Sequence, residues 1–275
     1  MKRSSAEIVQ NSVPELEREK ISAFIIAFNE EAHIRECVES VSFCDEVLVV
    51  DSFSTDKTVE LAEAAGAKVI QRKWPGYRAQ KAFALESVSN EWVLNLDADE
   101  RVSPELKGEV ESILEARAVC DDSSQPIGYE VNRLVHYLGR WWNKGGWYPE
   151  YRLRFFKKSQ VTWGGVDPHE KPIPHGATSK LSGDLYHYTY KDMNDQVNRL
   201  NSFSSIMSKE HFDIGKRASI FNLIFNPIAR FSKFYLFKGG FKEGKAGFIV
   251  AVIEAYYTFL KYAKLWECEF KEREK

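Results

Sequence analysis

An α/β fold built on a mainly parallel sheet is what this sequence predicts, and three observations predict it. In the first half, short apolar runs of strand length alternate with segments of helical periodicity. The runs are apolar on both faces, as strands of a covered parallel sheet are. Three of them end in polar residues: Asn29-Glu30, Asp51, and Asp97 with Asp99. Ligands of open α/β sheets bind beyond the C-terminal ends of the strands, so these side chains converge where such a fold places a site.

Taken in order, Met1 to Lys20 is polar and charged, lacks the apolar core of a signal peptide, and reads as a tail. Ile21 to Phe28 is the first strand, and Ile34, Cys37, Val38 and Val41 mark one face of the helix after it. Glu46 to Val50 is the second strand. Ser54 or Thr55 can cap the next helix, which carries Val59, Leu61, Ala62 and Ala65 and stops at Gly66. Ala67 to Gln71 is a third strand, Ala79 to Val88 a helix, and Trp92 to Leu96 a fourth strand. Ser103-Pro104 opens another helix, Ser as cap and Pro at its first position.

The second half changes character. Asp121 to Pro126 is a loop, and Ile127 to Val135 and Tyr151 to Phe156 read as strands. Between them, Trp141 to Tyr148 is too Gly-rich for a helix and too aromatic for a simple linker. Strand-like pieces follow at Val161 to Trp163 and Leu181 to Tyr188, then a helix from Asp192 to about His211.

At 275 residues the chain has room for one large domain or a domain with an appendage. Cys37, Cys44, Cys120 and Cys268 show no CxxC spacing, so neither a zinc site nor a disulfide framework is indicated and a reducing cytosol is the default. The net charge of −2 hides an uneven distribution: Ile214 to Trp266 carries nine Lys/Arg against two acids, Glu243 and Glu254. A basic, aromatic-rich segment thus sits on an acidic body. No GxGxxG follows the first strand and no GxxxxGK[ST] loop occurs, which excludes the dehydrogenase fingerprint and the P-loop.

The stretch Trp92 to Arg101 carries the chemistry. Side chains alternate along a strand, so Asp97 and Asp99 point the same way at its end. Paired carboxylates there suit Mg²⁺ or Mn²⁺, hard cations that share oxygen ligands with a substrate's phosphates. Read alone, Asp-x-Asp is equally an acidic turn.

Ala27-Phe28-Asn29-Glu30, Val49-Val50-Asp51-Ser52-Phe53-Ser54-Thr55-Asp56 and Leu96-Asp97-Ala98-Asp99-Glu100, in this order and spacing, resemble family 2 glycosyltransferases of the GT-A fold. Tyr77 to Lys81, Arg152 to Phe156, His169-Glu170-Lys171, His187 to Tyr190 and Gly239 to Gly244 resemble the branch containing bacterial lipopolysaccharide-core glucosyltransferases. The resemblance covers roughly Ile21 to Trp266. It implies an inverting transfer from a nucleotide-diphosphate sugar. Asn29 and Glu30 would approach the nucleoside, Asp51 the base or ribose, and Gln80 and Lys81 the nucleotide. Asp97 and Asp99 would hold the nucleoside side and a metal-bridged diphosphate. Two departures stand out. The family's Asp-Asp-Gly-Ser-Thr-Asp is here Asp51-Ser52-Phe53-Ser54-Thr55-Asp56, without the second carboxylate. Its Glu-Asp pair bearing the catalytic base is here His169-Glu170.

On that basis Glu170 is the expected base, with His169 as alternative base or orienting neighbour. Asp99, joined by Asp97 and His187, is the expected metal shell for Mg²⁺ or Mn²⁺; His187 is equally a satisfied strand histidine. Lys81 either pairs with phosphate or is a solvated helix lysine. Asn29 and Asp51 could also cap the helices that follow them. Trp141, Trp142 and Trp163, with Trp147, are expected to offer an acceptor platform or to be ordinary core. With Gly145 and Gly146 they suggest a mobile closing loop.

The tail has Phe221 to Phe241 interleaved with Lys and Arg, Pro227 expected to break or start a helix, and a helix from Ala246 to Trp266. Glu254, Lys261 and Lys264 argue against a span; aromatic and basic residues together suit an interfacial helix on an anionic leaflet. Packing on the body or on another subunit is the alternative. The domains expected are a polar tail (1–20), a GT-A catalytic domain (21–190, dividing at 120) and a helical C-terminal extension (191–275). The function expected is transfer of a hexose, glucose from UDP-glucose favoured, to a lipid-linked saccharide such as the lipopolysaccharide inner core. It would act as a peripheral enzyme on the cytoplasmic face of the inner membrane, with no nucleic-acid partner. Polyprenyl phosphate or another glycan is the nearest alternative acceptor. A nucleotide-sugar nucleotidyltransferase, which would want a Gly-rich N-terminal loop, and an inactive membrane-binding scaffold are alternatives of other classes.

Overall fold

The computed structural model describes residues 18–119, 125–165, 167 and 170–273. Strand β1 (Ile21–Ala27), buried throughout, pairs in parallel with β2 (Glu46–Asp51) and β4 (Trp92–Asp97). β3 (Lys68–Gln71) extends the parallel half beyond β2. Helices α1 (Ile34–Ser40), α2 (Thr58–Ala64) and α3 (Tyr77–Ser87) make the crossovers. Beyond β4 the sheet becomes mixed. β8 (Tyr151–Lys157) runs antiparallel to both β4 and β6 (Gly128–Tyr137), β11 (Thr178–His187) lies parallel to β6, and β5 (Glu100–Val102) closes the edge against β11. The order is β3-β2-β1-β4-β8-β6-β11-β5, with β7 (Arg140–Trp142) hairpinned onto β6. A separate ribbon pairs β9 (Val161–Gly164) with β10 (Lys171–Pro174).

One consequence of this order positions the site. β4 lies mid-sheet and β5 at the far edge, so the stretch Asp97-Ala98-Asp99-Glu100 carries the chain from the parallel half to the mixed half. The acidic residues therefore stand over the junction between the two.

Apolar side chains fill both faces. One cluster joins Ile21, Ile25, Leu94 and Leu96 to Ile34, Val38 and the helix α4 (Pro104–Val119) through Leu106, Val110 and Leu114. The other joins Phe24, Leu48, Val50 and Val93 to Ala84, Leu85 and Val88 of α3. Helix α4 is capped as its sequence predicts, the Leu106 N–H donating to Ser103 Oγ at 3.1 Å. It lies so close to β11 that a Cβ on Gly183 would come within 2.4 Å of the Leu106 nitrogen.

Local chemistry overturns several expectations. Neither Ser54 nor Thr55 caps α2; the residue before that helix is Lys57, without a side-chain cap, and Asp56 Oδ1 accepts from the Thr58 N–H at 3.0 Å. α3 starts two residues early, at Tyr77, because Gly76 (φ +110°) turns the chain and Asp167 Oδ1 accepts from the Arg78 N–H at 2.9 Å. The Trp141 to Tyr148 segment holds β7 and a 3₁₀ turn, Gly145–Trp147.

The C-terminal part is helical. α5 (Met193–Asp213) is capped by Asp192, and α6 (Ile220–Ser232) by a capping box of Ser219 and Asn222. Pro227 lies inside α6 rather than at an end, since the capping box has already set the start. A π-helical turn, Lys233–Phe237, and a 3₁₀ turn, Gly240–Glu243, lead to α7 (Gly244–Arg273), which packs on α5 and α6. The helix Gly240–Glu272 is long and apolar enough to cross a membrane by length and composition, where the sequence reading had none. The 30-residue length of α7 makes the difference; of the charges within it, Glu254 pairs with Arg230 and Lys264 donates to Asn201, Ser204 and Ser205 of α5.

Candidate functional site

The end of β1 and the end of β2 are clasped together. Asn29, at φ 54°, accepts the Thr55 N–H on Oδ1 at 2.8 Å, and its own N–H donates to Ser54 Oγ at 2.8 Å. Asp51, fully buried, accepts from the Ser54 N–H at 2.9 Å, from Ser54 Oγ, and from Gln71 Nε2 at 3.2 Å. Neither residue caps the helix that follows it: Asp51 closes its own loop and Asn29 the neighbouring one. Gln80, also fully buried, donates to Ser52 Oγ at 3.2 Å, and its Oε1 has no partner. An unpaired buried acceptor beside Asp51 is a place for a donor group of a ligand.

From Asp97 a chain of alternating charges runs in two directions. Lys81 Nζ lies 2.9 Å from Asp97 Oδ1 and 2.9 Å from Glu170 Oε1, and its side chain is 7% exposed. Lys81 is therefore not a solvated helix lysine. On the other side Arg154 Nη2 sits 2.8 Å from Asp97 Oδ2 and 2.6 Å from Glu100 Oε1, while its Nη1 donates to Asn95 Oδ1 at 2.8 Å. Glu100, fully buried, also takes Arg133 Nε at 2.8 Å and the Asp97 N–H at 2.9 Å. Arg133 Nη2 lies 2.9 and 3.0 Å from the two ring nitrogens of His187, whose Nε2 lies 3.4 Å from Asp99 Oδ2. Thus Glu170, Lys81, Asp97, Arg154, Glu100, Arg133, His187 and Asp99 form one connected network.

The network divides the two aspartates by electrostatics. Burial raises the Asp97 carboxyl, but the Lys81 and Arg154 cations outweigh it and hold the group well below the usual carboxylate range. Each Asp97 oxygen thus already carries one cation, Lys81 on Oδ1 and Arg154 on Oδ2. Asp99 makes no Lys or Arg ion pair among the described residues; its partner is His187, which outweighs burial and lowers it.

Glu30 stands on the far side of Asp99. Burial, and then the Asp99 carboxylate, raise its carboxyl to about 7. Arg199 of α5 and Lys191 just before it oppose the rise. A carboxyl raised from 4.5 binds its proton more tightly folded than unfolded, so it adds stability below pH 4.5 that is lost as pH rises to about 7. In EDTA, the wild-type protein is expected to lose up to about 3 kcal/mol from this group between pH 4.5 and 7, on 1.36 kcal/mol per pKa unit. Glu30→Gln should flatten that part of the pH profile of chemical denaturation; an unchanged profile would refute the assignment.

For a divalent cation Asp99 and His187 offer a carboxylate and an imidazole, with the expected third ligand, Asp97, engaged by Lys81 and Arg154. No group of three His, Cys, Asp or Glu side chains is gathered among the described residues. The remaining ligands would be diphosphate oxygens and water, the arrangement Mg²⁺ and Mn²⁺ adopt on nucleotides. The residues fit such an ion as a shared, not a caged, one.

Glu170 Oε2 is buried with no partner among the described residues, while Oε1 is held by Lys81. Trp163 lies beside the same lysine, its ring centroid 5.6 Å from Nζ and its indole N–H buried without an acceptor. His169 lies outside the described residues. The tryptophans part company. Trp142 is fully buried and donates to the Tyr137 carbonyl at 2.9 Å, so it is core and no part of an acceptor platform. Trp141, its neighbour on β7, faces the other way, is 38% exposed, and packs on His136, Tyr186 and Tyr188. The segment between is tied down: the Gly145 N–H donates to the Lys238 carbonyl at 2.9 Å, and Trp147 Nε1 donates to Glu254 at 3.1 Å.

Arg154, Glu100, Arg133 and Asn95 are the site residues that the sequence reading missed. The signal was present: Asn95 interrupts an apolar strand and Arg154 abuts Phe155-Phe156, and a polar group in a buried strand must find a partner.

Comparison with known proteins adds an independent line. Residues 22–166 match the model of "Glycosyl transferase family 2". The chain is 33% identical over 254 residues to the lipopolysaccharide core biosynthesis glycosyltransferase LpsC of Rhizobium meliloti, covering 90% of this chain and 92% of that one. It is 35% identical over 266 residues to an uncharacterized glycosyltransferase of Rickettsia typhi, covering 92% and 89%. Among solved structures, S. aureus TarS 1-349 in complex with UDP-GlcNAc aligns over 92% of each chain, with 16% identity and a TM-score of 0.49.

Proposed function

Since the chain belongs to glycosyl transferase family 2 and has its GT-A fold, we propose that it transfers a hexose, with inversion, from a UDP-sugar to a lipid-linked saccharide. UDP-glucose is the favoured donor and the lipopolysaccharide core the favoured acceptor. The likeness to LpsC over nearly the whole of both chains supports the acceptor class. The observation that carries the reading is the connected network, which joins a carboxylate with a free oxygen, Glu170, to a carboxylate–imidazole pair, Asp99 and His187.

In this reading the nucleoside lies against Asn29, Glu30, Asp51 and Gln80 at the ends of β1 and β2. Asp99 and His187 would hold a divalent ion, which would supply charge neutralisation for the departing diphosphate. Lys81, already between two carboxylates, turns to the phosphates as a point charge. Glu170 Oε2 takes the proton of the acceptor hydroxyl as the hydroxyl oxygen bonds to the anomeric carbon. The bond from that carbon to the nucleoside diphosphate breaks on the opposite face, and the anomeric centre inverts. Trp141 and Trp163 offer ring faces to the acceptor.

The catalytic part is assigned to 21–190 and the C-terminal extension to 191–275. The extension is proposed to lie on the cytoplasmic leaflet of the inner membrane. On α6 no residue is buried, and Ile220, Phe221, Ile224, Phe225 and Ile228 are all exposed on one helical stripe. α7 is held along α5, whose sequence is strongly polar, and this favours a surface-lying helix over a span.

Asp99→Ala tests the donor site. UDP should bind the variant at least about tenfold more weakly than wild type in Mn²⁺ or Mg²⁺, a loss of about 1.4 kcal/mol. In EDTA the two proteins should bind UDP alike. Equal affinity in the presence of metal would remove Asp99 from the ion.

A further inference from the structure

Away from the network, a cavity of about 180 Å³ opens where the π-helical turn meets the β7–β8 connection. Arg230, Lys233, Lys238, Gly146 and the ring of Phe234 line it. We infer that this cavity binds the phosphate headgroup of an anionic lipid.

Three cations line the cavity, and one of them, Arg230, is paired with an acid. Glu254, buried, takes Arg230 Nε at 3.0 Å and the Trp147 indole N–H at 3.1 Å. Lys233 and Lys238 have no acidic partner among the described residues. Like charges at such spacing are unfavourable unless an anion is brought to them.

The main chain that carries the two lysines is held by hydrogen bonds. The Lys238 N–H donates to the Lys233 carbonyl at 2.9 Å, and the Lys238 carbonyl accepts from the Gly145 N–H at 2.9 Å. Gly146 has no room for a side chain: a Cβ there would come 2.5 Å from the Phe234 ring. Phe234 itself is 2% exposed and belongs to the cluster with Tyr137, Trp142 and Val250. The cavity floor is thus core.

The rim points to a lipid as the source of the phosphate. Phe237, which immediately precedes Lys238, is 84% exposed, and Leu236 and Phe241 are about half exposed. Apolar side chains beside a cationic cavity suit a ligand with acyl chains below its phosphate. The site rests on the proposed membrane placement of the extension, and gives it a discrete anchor point.

The test uses the full chain and vesicles of phosphatidylcholine with and without phosphatidic acid. Lys233→Ala/Lys238→Ala is compared with Lys242→Ala/Lys245→Ala, which removes the same charge from the same segment outside the cavity. Diffuse attraction to an anionic surface weakens both pairs equally. A headgroup site predicts that the cavity pair loses at least about tenfold more affinity for phosphatidic acid vesicles than the control pair. Equal losses overturn the site and leave the membrane placement standing.

A soluble arm separates the two readings. Monomeric dihexanoyl phosphatidic acid should raise the melting temperature of the wild type but not of the cavity variant. Inorganic phosphate at the same concentration should do neither. If inorganic phosphate acts equally, the lipid assignment is overturned. If the short lipid acts but vesicles are not bound, the membrane placement falls and the anchor role that rests on it is overturned.

Discussion

Glu170→Gln is expected to lower the rate of sugar transfer by about 10²- to 10⁴-fold, the range set by loss of a positioned general base. Donor affinity should be unchanged. The substitution keeps the volume and leaves a carbonyl to accept from Lys81, which retains Asp97 at 2.9 Å. The argument rests on the asymmetry of the carboxylate. Lys81 holds Oε1 and fixes the plane of the group, while Oε2 is buried and has no partner among the described residues. A buried acceptor left without a donor costs free energy, and an acceptor hydroxyl in that position would satisfy it. Steady-state transfer with separate measurement of UDP binding checks the point. Near-normal turnover would pass the base role to another group. A parallel loss of UDP affinity would instead mean that Glu170 acts through Lys81 on the donor.

How legible this was in the sequence depended on the range of the interaction. The parallel half was legible because its signals are local: an apolar run and a helical period are properties of a few consecutive residues. The clustering of Asn29, Asp51, Asp97 and Asp99 followed, since strand ends in such a sheet lie on one edge. The short strands β5 and β7 were not legible. Three residues carry no periodicity, and their pairing with β11 and β6 is set by the register of longer strands. For the same reason Trp141 and Trp142 were read together, although alternation on β7 sends one to the surface and the other to the core. Lys81 was undecided in the sequence because its helix face says nothing about Glu170, which reaches it only through the turn where Asp167 caps α3. Arg154 and Glu100 were missed for a different reason. Each looks like an ordinary charged residue until the mixed half folds against β4 and makes both buried.

That buried pair carries the second large effect. Glu100→Ala is expected to destabilise the protein by about 3–5 kcal/mol, the penalty for removing one partner from a buried ion pair. The loss is that large because Glu100 accepts from Arg154 at 2.6 Å and from the Asp97 N–H at 2.9 Å, and its charge also faces Arg133, whose Nε lies 2.8 Å away. Without it, two guanidinium groups face each other in the interior, with Asp97 and Glu150 as their remaining carboxylates. Thermal unfolding should therefore shift down by roughly 10 °C, at about 2–4 °C per kcal/mol for a chain of this size. Glu100→Gln, which restores the volume and one acceptor, should recover part of the stability. It should leave metal-dependent UDP binding impaired, because Arg154 and Arg133 then pull on Asp97 and His187 without the central charge that balances them. Full recovery of both stability and UDP binding in Glu100→Gln would reduce Glu100 to a space-filling hydrogen-bond acceptor. Recovery of stability alone would make it the residue through which the Asp97 and Asp99 halves of the site are held in one geometry.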